Sequence, residues 1–302
     1  MTPSNDTRAS AARSDHRRHA TGVALVLTAG VLLSLAGITL RHIESASGWQ
    51  ILFYRSLTFF VVVTLWLAVR YRARVVHAFV KTGRPGLVVA LSLGLGSACY
   101  VFALLLTTVA NALFIISCAP FVTAVLGWIV LRERVRPITW LAMTIALSGI
   151  TLMFVNGIQS GRLLGNIVAL GPPVSFAIML VTLRRAGDRD MIPAICLGGL
   201  VGAALGFAMS DTLVLSGHDL ALCLFLGVAQ YTGGFVLITL GARFLPAAEV
   251  ALLSLAETVL APIWVWIGVG EVPALLTLAG GAVVLSAVVA QAVTGLRSPD
   301  GG

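Results

Sequence analysis

Glu257 stands in the middle of a long apolar run, PAAEVALLSLAETVLAPIWVWIGV, and of all the residues in this chain it is the best placed to do chemistry. An ionised side chain at the centre of a bilayer costs about 2.5–3.5 kcal/mol on insertion scales, so it must face protein or water. Helical spacing puts Ser254, Ala261 and Trp264 beside it. A small rim, a carboxylate and an aromatic ring on one face suit the wall of a cavity that binds a substrate or a proton. The plainer alternative is a protonated Glu257 that hydrogen-bonds a neighbouring helix.

Gln230 and Tyr231 lie mid-run in GVAQYTGG, where Gly227, Gly233 and Gly234 thin the helix and permit close approach or local unwinding. Glycine in membrane helices serves packing as often as function, so both roles stay open. Ser97 and Tyr100 share a face of another run, and Asn111 and Cys118 are two turns apart on a further one. Each of these pairs also has a purely structural reading. Arg55, within ILFYRSLTFF, is deeper than a simple snorkelling position. Glu44 and lipid phosphate are its candidate partners, and an anchoring role is expected. Pro120, Pro172, Pro173 and Pro262 each remove a backbone donor near mid-run. Broken helices at that depth are what alternating-access carriers use to build sites.

The elements that hold these residues follow from composition. Apolar residues make up 58% of the chain and charged ones 11%, against about a quarter charged in soluble domains, and the mean hydropathy is +0.99. A bilayer core takes about 20 apolar helical residues, and ten such runs occur, at 21–40, 48–69, 86–106, 111–130, 137–155, 163–183, 191–209, 219–240, 246–269 and 272–295. We refer to them as helices 1 to 10. The fold class expected is an all-α polytopic membrane protein with short connections, since unpaired backbone in lipid is costly.

Charge gives an orientation. With the N-terminus inside, seventeen of the twenty Lys and Arg residues fall on the cytoplasmic side, while the outer loops hold Arg41 and Arg162, and Arg55 lies in helix 2. This positive-inside asymmetry predicts both termini in the cytoplasm, in a multi-pass protein of the cell membrane. It also accounts for the net charge of +8 without a nucleic-acid site. Residues 1–20 read as a disordered basic cytoplasmic tail and 296–302 as a cytoplasmic C-terminal tail. The first run is read as an uncleaved span.

Enzyme signatures are missing from the sequence. The single lysine, Lys81, lacks the glycines of a phosphate-binding loop. All five histidines fall in the tail or at loops, and the four cysteines have no metal spacing. No cofactor, metal or catalytic residue is expected.

The chain also repeats itself. Residues 22–41 align without gaps to 165–184, sharing the closing Thr-Leu-Arg, and residues 110–148 align to 248–286, keeping Trp128-Ile129 with Trp266-Ile267 and Glu133 with Glu271. Five helices per copy is an odd number, so the second copy must be inverted in the bilayer. The copies are placed at 21–156 (helices 1–5) and 163–295 (helices 6–10). At the position aligned with Glu257 the first copy has Ala119.

The stretch ALLLTTVANALFIISCAPFVTAVLGWIVLRERVRPITWLAMTIALSGITLMF resembles the second half of the repeat of the drug/metabolite transporter superfamily, in particular its EamA family. Pro120 and Leu131-Arg132-Glu133-Arg134 take the places of the family's mid-helix Pro and Leu-Gly-Glu turn. Ala256-Glu257-Thr258 sits where the family often has Glu-Pro, Gly268-Val269-Gly270-Glu271 corresponds to the second Leu-Gly-Glu turn, and Arg55 resembles the helix 2 arginine. Thr258 departs from the usual proline; Pro262, one turn later, could carry the bend instead. Glu133 and Glu271 are read as structural, with Arg134 and Arg136 the candidate partners of Glu133.

The resemblance implies a ten-helix secondary transporter with two inverted EamA repeats and a cavity lined by helices 1, 3, 4, 6, 8 and 9. It implies export of a small metabolite, an amino acid or similar solute, by alternating access. Import, or a non-transporting scaffold or regulator of the same fold, are the alternatives. The implied partners are a small-molecule substrate and the lipid bilayer. Helices 5 and 10 form the scaffold or offer a homodimer face, with Ala282, Ser286 and Ala290 at four-residue spacing.

Overall fold

Runs this apolar have one low-energy solution in lipid, the helix, which satisfies every backbone group within the segment. The computed structural model describes residues 5–106, 109–154, 163–270 and 275–297, and among these residues the regular structure is helical throughout. The ten spans are α1 (Asn5–Arg41), α2 (Gly48–Tyr71), α3 (Gly83–Leu106), α4 (Val109–Ile116, α4a, and Ala119–Leu131, α4b) and α5 (Pro137–Phe154). They continue as α6 (Leu163–Ala169, α6a, and Gly171–Ala186, α6b), α7 (Ile192–Met209), α8 (Gly217–Phe225, α8a, and Gly233–Gly241, α8b), α9 (Ala247–Ser254, α9a, and Ala256–Val269, α9b) and α10 (Leu275–Arg297). Nine of the described segments are long and apolar enough to cross a membrane, and the shorter apolar stretch Pro137–Leu152 of α5 is the tenth. The protein is therefore an all-α multi-pass membrane protein.

The N-terminal stretch departs from the sequence expectation. Helix α1 runs back to Asn5 instead of beginning near residue 21. Its Ala and Arg residues are good helix formers, and extending an existing helix avoids the cost of nucleation. Contacts fasten this extension: His19 Nε2 lies 3.2 Å from Glu249 Oε1, and the Arg18 guanidinium lies over the Phe244 ring.

Helix pairs α2/α7 and α5/α10 flank a centre made of α1, α3, α4, α6, α8 and α9, the six helices that the resemblance names as cavity-lining. The flanking pairs meet along glycine seams. A Cβ added at Gly206 would lie 2.6 Å from the Phe53 backbone nitrogen, and one at Gly149 would lie 2.7 Å from the Gly280 carbonyl oxygen. Gly202 and Gly206 repeat the small-xxx-small spacing that lets membrane helices approach closely. On α10, Ala282, Ser286 and Ala290 point outward, away from that seam.

Three central helices are interrupted by single tightened turns. In α4, Cys118 N bonds Ile115 O and Phe121 N bonds Cys118 O; in α9, Leu255 N bonds Leu252 O and Thr258 N bonds Leu255 O. These are three-residue bonds replacing four-residue ones. The two breaks fall within one residue of equivalent positions in the sequence repeat. Helix α6 breaks at Leu170, with Pro172 and Pro173 opening α6b, and Pro120 opens α4b. In α9 the bend was expected at Pro262, but the break lies at Leu255 and α9b runs on through Pro262. Ser254 supplies a local cause: its Oγ bonds the Val250 carbonyl oxygen at 2.8 Å, a back-bond that bends helices. Helix α8 is interrupted differently, by a π-helical stretch over Leu226–Thr232.

Candidate functional site

The break in α9 puts Glu257 in the first turn of α9b, about 15 Å along the span from Ala247 at the usual helical rise. A helix N-terminus favours a carboxylate. Helix α1 is pressed against this turn, since a Cβ at Gly30 would sit 3.5 Å from Ala256 Cβ and 3.7 Å from the Glu257 nitrogen. Glu257 remains partly exposed, and among the described residues no hydrogen-bond or ion-pair partner is recorded for it.

Tyr100 on α3, also partly exposed, lies within electrostatic reach of both Glu257 and Arg55. Helices α2 and α3 meet here through Arg55 and Ser97. Arg55 is 5% exposed; its Nη2 donates to Ser97 Oγ, and its guanidinium carbon lies 4.7 Å from the centre of the Tyr231 ring. This corrects the expected partners, Glu44 and lipid phosphate. Helix α2 starts at Gly48, capped by the reciprocal Ser47–Gln50 bonds, and Arg55 projects inward two turns later. Glu44 lies outside the bundle core, where its backbone nitrogen donates to Asp219.

The π-helical stretch of α8 turns Gln230 and Tyr231 inward, both buried. Such stretches recur at functional sites. Tyr231 packs with Phe59, ring centres 4.7 Å apart, and with Phe235 at 5.0 Å. Gln230 Oε1, Tyr231 Oη and Arg55 Nε are buried without hydrogen-bond partners among the described residues. The close approach that glycine allows is visible here: a Cβ at Gly227 would lie 2.8 Å from the Arg55 carbonyl oxygen.

Other residues singled out from sequence fall elsewhere. Trp264 does not only pack; its Nε1 donates to Ser34 Oγ at 2.7 Å and ties α9b to α1. The Ser254 hydroxyl is used by its own helix. The backbone of Asn111 lies in α4a, while its side chain and that of Pro262 lie outside the described residues, as does Glu271.

Glu133 pairs with Arg184, Oε1 to Nε 3.1 Å, rather than with Arg134 or Arg136. Arg184 closes the Thr-Leu-Arg end of α6, and its Nη1 also donates to the Arg243 carbonyl oxygen at 3.1 Å. A contact across the repeat boundary thus displaced two sequence neighbours. The same basic face holds Asp190, which accepts from the Tyr71 hydroxyl at 2.5 Å and faces Arg70 at 3.5 Å and Arg243 at 3.3 Å. On the far face the Asp219 carboxylate accepts from the backbone nitrogens of Glu44, Ser45 and Ala46 and from Ser45 Oγ at 2.6–3.1 Å. Neither aspartate was singled out from sequence. Ser216-x-x-Asp219 was a readable helix start, but its loop partner is 174 residues distant in sequence.

Comparison with known proteins adds three findings. One solved crystal structure superposes on 91% of this chain and 98% of its own, with a TM-score of 0.77 at 17% identity, so the fold is shared. The uncharacterized transporter YwfM of Bacillus subtilis (strain 168) is 29% identical over 168 residues, 52% of this chain and 55% of YwfM. Human solute carrier family 35 member G1 is 27% identical over 204 residues, 62% of this chain and 56% of that protein. The chain thus spans little more than half the length of these curated relatives. Residues 20–155, the first of the two repeat copies, match the EamA-like transporter family.

Proposed function

We propose that the protein is a secondary transporter that moves a small organic solute, an amino acid or similar metabolite, outward across the cell membrane by alternating access. The observation that carries this reading is the Glu257 carboxyl group at mid-depth, without a partner among the described residues, on a helix that breaks just before it. A solute's cationic or hydrogen-bonding group meets Glu257 and Gln230, and Tyr100 and Tyr231 pack its apolar part. Glu257 serves instead as the proton-coupling group if the solute makes no contact with it.

The packing supports alternating access. Near the basic face α4b packs on α6b, and α9a packs on both, with Glu133–Arg184 and the Asp190 cluster closing the ends. Toward the far face α9b lies along α1, while α4a lies along α6a. The groups that meet at one face part at the other, as expected of a carrier open on the far side. With the basic face in the cytoplasm, both termini are cytoplasmic. The outward-facing Ala282, Ser286 and Ala290 of α10 are the face for any homodimer, checked by crosslinking single cysteines placed there.

The test is flux of solute mixtures in vesicles reconstituted with the full chain, for wild type and Glu257→Gln, with and without a pH gradient. Loss of flux supports binding at Glu257, and loss of pH dependence alone supports proton coupling. Unchanged flux and unchanged pH dependence overturn both roles.

A further inference from the structure

Arg55 has so far been an anchor, yet its surroundings do not suit one. A guanidinium at this depth needs a counter-charge. Among the described residues it has only a neutral hydroxyl, Ser97 Oγ, and the face of the Tyr231 ring. Its Nε finds no acceptor. Among the described residues the Glu257 carboxyl on α9b, for its part, has no basic partner. Tyr100 lies within electrostatic reach of each, and among the described residues no ion pair joins the two.

The neighbours of Arg55 keep that vacancy from being filled by the protein. Helix α2 offers Ser56, which faces Gly202 of α7. Helix α8 offers Tyr231 and Gln230, and α3 offers Ser97 and Tyr100. None of these carries a negative charge, and the nearest acid of α8, Asp219, is committed to the loop of Glu44, Ser45 and Ala46. A ring face over a guanidinium is a weaker substitute for an anion, and a π-helical stretch such as the one bearing Tyr231 can readjust more readily than a regular helix.

We propose that Arg55 is the anion-binding and orienting residue of the transport site. The anionic group of the solute takes the guanidinium edge that Ser97 leaves free, displacing the Tyr231 ring, while its cationic group faces Glu257. A planar carboxylate fits the guanidinium fork in a way that an ammonium in place of Arg55 could not reproduce. The solute then lies across the bundle with its anionic end toward α2 and α8 and its cationic end toward α9. This rests on the transport reading above, because it presumes that Glu257 faces the solute.

The experiment uses the full chain in detergent and three probes of matched shape: leucine, 3-methylbutylamine and N-acetylleucine, with a pool of the other common amino acids and quaternary betaines to cover the apolar part. Thermal stabilisation is read for wild type, Arg55→Gln, Arg55→Lys and Glu257→Gln, each first shown monodisperse. Zwitterions are expected to stabilise wild type at concentrations at least about tenfold lower than either singly charged analogue, one lost charged contact being worth about 1.5–3 kcal/mol. Arg55→Gln is expected to erase that advantage and leave amine binding intact, and Arg55→Lys to recover part of it. Glu257→Gln is expected to do the converse, sparing the acid. Equal responses of wild type and Arg55→Gln to zwitterion and amine overturn the role of Arg55 while leaving transport through Glu257 standing. If no probe stabilises any variant and none is carried in vesicles, the transport reading falls and this one with it. Should Arg55→Gln and Arg55→Lys both fail to fold, solute selectivity is read on Ser97→Ala and Tyr231→Ala, and unchanged preference for zwitterions over amines in both overturns the proposal.

Discussion

Helices α4 and α9 break within a residue of equivalent positions, yet their breaks are loaded differently. After the α4 break come Ala119 and Pro120, both buried; at the aligned places after the α9 break come Glu257 and Thr258. The basic end of α4 is tied down through Glu133 and Arg184. The first turn of α9b carries a carboxyl group with no partner among the described residues and lies against α1. The difference teaches that the tightened turn belongs to the architecture and is tolerated with or without proline, whereas the charge is an addition to one copy.

The largest effect is expected from removing that asymmetry. Glu257→Gln should lower solute flux in vesicles by about ten- to a hundredfold, the equivalent of about 1.5–3 kcal/mol for a charged hydrogen bond. Ala119→Ser, a polar group of similar size at the aligned place, should leave flux within about twofold, because substitutions outside a named mechanism stay within about 0.5 kcal/mol. Equal losses in the two would erase the comparison.

A smaller effect is expected from giving α9 the proline of α4. Thr258→Pro removes the bond from Thr258 N to Leu255 O but lies in a first turn, where proline is tolerated. Its cost in thermal unfolding should be about 0.5–1.5 kcal/mol, the net worth of one hydrogen bond, with flux retained. A collapse of stability would show that the α9 break is more constrained than the α4 break.

The smallest effect concerns the tie at the end of α4. Glu133 and Arg184 are each about a third exposed, so Glu133→Gln should cost no more than about 0.2–1 kcal/mol. That is enough to raise labelling of Cys118 by an impermeant maleimide added at the basic face by up to about fivefold, if the pair helps to keep that face shut. The exchange Glu133→Arg with Arg184→Glu should return labelling to the wild-type level.

Much of this was readable in one dimension. Ten spans, their alternating charge and the match between residues 110–148 and 248–286 follow from local composition, and Glu257 stood out because a charge in an apolar run is expensive wherever the run ends up. The α9 break was misplaced at Pro262 because proline is a visible signal, whereas the back-bond of Ser254 competes with ordinary helix geometry and leaves no mark. Arg134 and Arg136 were nearer to Glu133 in sequence than Arg184, yet α6b packs on α4b and brings Arg184 to 3.1 Å.

The sequence alone determined that this chain lies in a membrane as helices, because hydrophobic transfer and backbone satisfaction depend on composition within about 20 residues at a time. It also determined that one carboxylate would need an interior face. Only the tertiary structure decided what that face contains. Which side chains meet across α2, α3, α8 and α9 depends on glycine seams and on the rotation of each helix, and a register shift of one residue turns a side chain by about 100°. That is why Arg55 read as an anchor in the sequence and stands in the fold as a cation without a counter-ion among the described residues.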